Sequence, residues 1–208
     1  HAPNTNWYYN NWDFNALGTI YQQAIGEHFF EGLKRLIGDP IGMEDYQPAD
    51  GNDVSGRDSI HNAYPFHMTA RDMARFGLLF LREGNWNGVQ VVPAEWVRDS
   101  VKSWSDSGRA SGGYGYLWWT TIDGRHLPGI RMPNDAYAAR GARGQYIQVI
   151  PSLDLVVVHR VDTDVRGTRV TNEQFGELMR LILAAHKSYD PTKIRSASRD
   201  EPEEPTEE

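Results

Sequence analysis

The chain has 208 residues, is 39% hydrophobic and 24% charged, and carries a formal charge of −7. That is room for one domain with a sizeable core. The charge balance lacks the basic footprint of a nucleic-acid surface, and no apolar run reaches the ~18 residues of a membrane span. Cysteine is absent, which removes disulfides, thiol nucleophiles and Cys-bound metal.

Residues 1–6 are polar and contain Pro3, a loop. Trp7-Tyr8-Tyr9-Asn10-Asn11-Trp12-Asp13 reads as a polar turn running into a helix, because Phe14, Leu17, Tyr21 and Ala24 recur on one helical face. Asn11 or Asp13 is placed to cap that helix, and Gly26 to end it. A second helix over about 27–37 carries Phe29, Phe30, Leu33 and Ile37 and stops at Gly38-Asp39-Pro40. Residues 44–65, rich in Asp, Gly, Asn and Pro, read as one long loop, and loops of that length are usually functional or disordered.

Thr69-Ala70-Arg71-Asp72 is a capping-box-like start for a helix with Met73, Phe76, Leu79 and Phe80 on one face, ending at Gly84. Trp86-Asn87-Gly88 is a turn, and Pro93 opens a short helix with Trp96 and Val97. Residues 112–121 are aromatic and β-prone, a predicted strand followed by the turn signal Asp123-Gly124. Residues 143–150 alternate as a second strand, and 155–161 form a third, expected at the centre of the sheet. The turn at Pro151-Ser152-Leu153-Asp154 is short enough for antiparallel pairing of the two. Thr171-Asn172-Glu173-Gln174 is a capping box opening a helix whose Phe175, Leu178, Met179, Ile182 and Leu183 should lie on the sheet. Residues 189–208 hold seven acids against three bases and are Pro/Glu/Ser-rich, which predicts a disordered acidic tail.

Candidate chemistry gathers first at Tyr9 and Asn11. A phenol at a helix mouth beside an amide is a proton-transfer pair if nearby cations lower its pKa from about 10. The alternative is an aromatic turn that plugs a core. His61 and His67, with Asp58, match no helical or zinc-finger spacing, so no metal is predicted. There is no Gly-x-Ser-x-Gly and hence no nucleophile elbow. The tryptophans and tyrosines suggest a carbohydrate-binding surface as a second class of function, although Trp12, Trp96, Trp118 and Trp119 sit in patterned elements where core packing is the simpler account.

Tyr9-Asn10-Asn11, with Gly18 nine residues after Tyr9, resembles the Tyr-x-Asn element of the serine β-lactamase and penicillin-binding-protein superfamily. The similarity is greatest to its class C β-lactamase, esterase and 6-aminohexanoate-dimer hydrolase branch. Pro40-Ile41-Gly42-Met43, the block at residues 68–77 and the Trp96-Val97 segment carry the same resemblance, which covers about residues 7–187. It implies an α+β fold: an antiparallel β-sheet flanked by helices, plus part of a helical region carrying Tyr9.

It also implies serine hydrolysis of an amide or ester through an acyl-enzyme, acting on a small-molecule amide, ester or peptide and needing no cofactor. In that superfamily a Ser-x-x-Lys supplies the nucleophile. None of the eleven serines here is followed by Lys three residues on. The family's motif precedes Tyr-x-Asn, so residues 1–188 are expected to be the C-terminal portion of a longer hydrolase domain. The family's third element, on a strand lining the site, falls at Ala139-Arg140-Gly141. Only Gly141 agrees with the usual residues.

By the same resemblance Tyr9 is the general base/acid, Asn11 a ligand of the substrate amide, and the Ala142 N–H an oxyanion donor. Gly141 lines the site, and His61 or His67 lines the substrate cleft. Arg140 and Arg143 either supply the positive charge that Ala139 lacks or are solvated strand-edge charges. A periplasmic or secreted setting fits the resemblance. A non-catalytic relative that binds peptide or glycan is the remaining alternative.

Overall fold

The computed structural model describes residues 2, 5–108, 111–187, 189–190 and 192; most of the expected acidic tail therefore lies outside the described residues. Helix α1 (Asn11–Ile25) is capped by Asn10, whose Oδ1 accepts the Asp13 N–H at 3.1 Å while Nδ2 donates to Asp13 Oδ2 at 2.8 Å. The cap thus precedes both residues proposed for it, because the extended backbone that a cap requires is at Asn10. Gly26 closes α1 in the left-handed region, as expected. The second predicted helix is divided into α2 (Phe29–Leu33) and a π-helical turn, Lys34–Gly38.

Residues 44–65 are not an open loop. A 3₁₀ turn at Pro48–Asp50 leads into a hairpin of β1 (Val54–Gly56) and β2 (Ser59–Ala63), and β2 lies along α1. Its strands are half to fully exposed, so no hydrophobic alternation marked them in the sequence.

Helix α3 (Ala70–Leu81) starts at Thr69 as foreseen. Asp72, however, does not complete a reciprocal box. Its carboxylate is buried and accepts the N–H groups of Glu44, Asp45 and Tyr46 at 2.9, 3.0 and 2.9 Å. This pins the turn after the π segment onto α3, where Ile41, Met43 and Tyr46 close over Leu79. Strands β3 (Asn85–Trp86) and β4 (Val89–Gln90) form a small hairpin around Asn87 and Gly88, both at positive φ, and α4 (Ala94–Ser100) follows.

The main sheet is an antiparallel meander of β5 (Ser105–Asp106), β6 (Gly113–Tyr114), β7 (Trp119–Thr120), β8 (Tyr137–Gly141), β9 (Gln145–Ile150) and β10 (Leu155–His159), each beside its sequence neighbour. The final helix α5 (Asn172–Ala185) has the Thr171/Gln174 capping box expected of it. Along β9, Ile147 and Val149 face α3 through Met73 and Phe80. Tyr146 and Ile150 face α5 through Phe175, Met179 and Leu183. Those three α5 side chains are fully buried, each worth roughly 1.5–3 kcal/mol of transfer free energy. A Cβ on Gly77 would stand 2.7 Å from Val156 Cγ1, so glycine is what lets α3 lie this close to the sheet.

Three further expectations are corrected. Residues 112–121 are not one strand: Leu117 turns back at φ 65° and the Gly115 N–H bonds Trp118 O at 2.8 Å, which makes β6 and β7 a hairpin. β10 is an edge strand rather than a central one. Its unbroken apolar run has another cause, since Leu155 and Val157 pack toward α5 while Val156 and Val158 pack toward α3. Trp12 and Trp96 are not core residues but are 53% and 56% exposed, whereas Trp118 is buried.

Candidate active site

The Asn10 cap places Tyr9 immediately before the helix and makes Asn11 its first residue, exposed on the opening turn. The Tyr9 ring joins an aromatic cluster. Its centroid is 5.3 Å from Phe14, 5.5 Å from Trp119, 5.9 Å from Tyr114 and 6.2 Å from Trp7. Partial burial in this cluster raises the Tyr9 pKa, because the phenolate is disfavoured away from water. The expected lowering by a cation is not found in these surroundings.

Arg140 reaches the same cluster from strand β8. Its guanidinium lies 4.9 Å from the centre of the Trp119 ring, a cation–π contact, and its Nη2 donates to His126 O at 2.7 Å. The Nε atom is shielded from solvent and has no hydrogen-bond partner. Burial pushes the Arg140 pKa down to about 10. Shielded at Nε and packed on Trp119, it is not the solvated strand-edge charge of the alternative reading, and among the described residues no ion pair with a carboxylate is found for it.

Below Arg140 is a buried polar network. His126 Nε2 donates to Gln148 Oε1 at 2.9 Å, since the Gln148 amide nitrogen is committed to Tyr137 O at 3.0 Å. Burial, reinforced by the Arg140 charge, depresses the His126 pKa to about 3, so the ring is neutral. Its Nδ1 lone pair is buried without a partner.

Gly141, Ala142 and Arg143 are exposed at the end of β8, where Gly141 pairs with Gln145 across the turn into β9. Arg143 is left-handed at φ 64°, and its Nη1 donates to Thr163 O at 2.9 Å. His61 on β2 packs along α1, its Nδ1 3.1 Å from Thr19 Oγ1 and its ring 5.2 Å from that of Trp12. His67 is elsewhere, in a cleft of about 150 Å³ lined also by Asp45, Tyr46, Asp50 and Arg160. A larger open groove of about 590 Å³ runs past His28, Glu31 and Asp53 and includes none of the candidate residues.

The structure therefore brings together Tyr9 and Arg140, keeps Asn11 and His61 on the α1 side, and separates His67. Sequence reasoning missed Trp7, Tyr114 and Trp119 as the link and His126 with Gln148 as the support. The adjacent Trp118 and Trp119 held the one usable signal, since neighbouring strand residues face opposite sides and only one of them can enter the same core.

Taken together, this is a mixed domain with an antiparallel sheet held between helices and a tyrosine-bearing helix mouth resting on strands of that sheet. The chain belongs to the β-lactamase family: the sequence profile described as Beta-lactamase matches residues 1–174. A solved structure from Bacillus anthracis, assigned as a 6-aminohexanoate-dimer hydrolase, is 25% identical and superposes with a TM-score of 0.64 over 89% of this chain and 45% of its own. A β-lactamase structure from Mycobacterium bovis gives a TM-score of 0.63 at 20% identity, covering 89% of this chain and 66% of its own, a likeness of fold. An uncharacterized protein of Alkalihalophilus pseudofirmus is 25% identical over 120 residues, 54% of this chain and 34% of that protein. The chain thus spans between about a third and two thirds of the length of these relatives.

Proposed function

We propose that these residues form part of a serine hydrolase that cleaves an amide or ester of a small molecule or peptide through an acyl-enzyme. The observation that carries this reading is that Tyr9 from the mouth of α1 and Arg140 from strand β8 meet on Trp119. Tyr9 acts as general base in acylation and returns the proton to the leaving group. Asn11 holds the substrate amide, and the Ala142 N–H donates to the developing oxyanion, a contact worth about 3 kcal/mol in such sites. Arg140 brings positive charge to the Trp119 ring that Tyr9 also contacts. The raised Tyr9 pKa calls for a cation next to the phenol before it can accept a proton at neutral pH.

With no Ser-x-x-Lys among its serines, the chain takes its nucleophile, and the lysine that partners Tyr9, from outside these residues. A linear amide such as the 6-aminohexanoate dimer is one substrate type consistent with the Bacillus anthracis relative. The test compares the full-length protein with the 208-residue chain, using nitrocefin, p-nitrophenyl esters and a fluorophosphonate probe. The full-length protein should turn over at least one substrate and label on a Ser-x-x-Lys serine. The chain alone should do neither. A stoichiometric adduct on any serine of the chain would overturn the assignment.

A non-catalytic role in binding peptide or glycan is the second reading. Ala139, at a position where the family carries Lys or His, is the observation that favours it.

A further inference from the structure

The turn that carries Ala142 has a dense set of hydrogen bonds on one side. Each of the three residues after Ala142 is tied to the segment 159–170. The Gly144 carbonyl accepts from His159 Nδ1 at 2.7 Å. The Arg143 carbonyl accepts the Val170 N–H at 3.0 Å, and its Nη1 donates to Thr163 O at 2.9 Å. Gln145 Nε2 donates to Val161 O at 2.7 Å, and Gln145 Oε1 accepts the Val161 N–H at 3.1 Å. Arg143 sits at φ 64° and Gly144 at φ 115°. A left-handed residue other than glycine persists where its surroundings over-determine it, and such positions cluster at functional sites.

We infer that Arg143 is a positioning residue for the oxyanion donor: by bridging the β8–β9 turn to Thr163 it fixes the direction of the Ala142 N–H, and it does not touch substrate. This rests on the assignment of Ala142 above and deepens it. An oxyanion donor is effective because it is aimed before charge develops, so it needs a stiff support. The 159–170 segment supplies that stiffness. Arg143 contributes both a backbone acceptor and a side-chain donor to it. Arginine suits the task because its donors are spread on a rigid planar group that reaches a carbonyl several bonds away.

The test uses Arg143→Gly, Arg143→Lys and Arg166→Ala. Glycine accepts φ 64° without strain, so the fold and melting temperature stay while the side-chain bond to Thr163 O is lost. In the full-length hydrolase, Arg143→Gly should lower kcat at least tenfold with KM within twofold. Arg143→Lys, which can still donate to Thr163 O, should recover most of kcat. Arg166→Ala, an exposed cation on the same segment, should leave both constants unchanged. Independently of activity, amide hydrogen exchange on the full-length protein should quicken at least tenfold in Arg143→Gly at Val161 and Val170, whose N–H groups bond to the turn. Unaltered exchange shows that Arg143 is not the anchor and overturns the inference. Faster exchange with an unaltered kcat shows that the turn does not govern the chemistry and overturns it equally. A full-length wild-type protein that hydrolyses nothing overturns the functional reading, and the catalytic half of this inference falls with it. The exchange measurement still decides the anchor.

Discussion

The ring of Tyr64 lies flat enough on Gly18 that a β-carbon built there would stand 2.3 Å from Tyr64 Cε1. The ring cannot simply swing away, because its hydroxyl donates to Phe14 O at 2.8 Å, one turn back along α1. This contact fastens the residues after the β1–β2 hairpin to the helix that carries Tyr9, and explains the glycine nine residues beyond the tyrosine. Gly18→Ala is expected to destabilise the protein by about 1–3 kcal/mol, the usual size for overpacking, despite alanine's better helix propensity. Urea melts of Gly18→Ala, Tyr64→Ala and the double variant check it. The double variant should be more stable than the sum of the singles implies; strict additivity would show that the two residues do not oppose each other.

Asp72 offers a second test of the scaffold. One buried carboxylate accepts three backbone N–H groups of residues 44–46. Hydrogen bonds to a charged group are worth about 1.5–3 kcal/mol each, and buried donors left unpaired add a penalty. Asp72→Ala should cost at least about 4 kcal/mol, read as a lower urea midpoint, and Asp72→Asn should cost clearly less because one oxygen remains to accept. Equal losses would mean that the cost is volume rather than hydrogen bonding.

Stability should fall in mild acid because of His126. Its pKa is depressed in the folded protein to about 3 and rises to about 6.5 on unfolding. Between those values only the unfolded chain binds the proton, so acid favours unfolding by about 1.4 kcal/mol per pH unit. Nothing is lost above pH 6.5 from this group, and about 2 kcal/mol should be gone at pH 5. His126→Gln should lack this slope, whatever its stability at neutral pH. Parallel pH profiles for the two proteins would refute a buried neutral histidine.

Tyr9 and Tyr8 separate chemistry from packing. In the full-length hydrolase Tyr9→Phe is expected to lower the acylation rate at least about a hundredfold, the scale of a positioned general acid–base. The remaining ring still fills the cluster with Trp119 and Tyr114. Tyr8, 75% exposed, should tolerate the same change. Loss of turnover from Tyr8→Phe alone would shift the motif by one residue and make Asn10, the helix cap, the partner.

The sequence by itself determined the parts whose forces are local. The caps at Thr69 and Thr171 bind N–H groups three residues on, and the Asn87-Gly88 turn needs positive φ at both residues, so each was legible in a few letters. The strand pair β9–β10 was legible for a similar reason, a short turn between two apolar runs. Tertiary structure decided what depended on distant partners. The aromatic run at 112–121 folds back because the Tyr116 N–H is taken by Ser100 O at 2.8 Å, a carbonyl from α4 that no local pattern announces. The hydrophobicity of β10 suggested a central strand, yet helices on both faces give an edge strand the same composition. Tyr9 and Arg140 were each picked out by a motif, but only packing on Trp119 could place them together. A phenol from a helix mouth and a guanidinium from a strand carry no shared periodicity, and their meeting is fixed by the burial of aromatic surface between them.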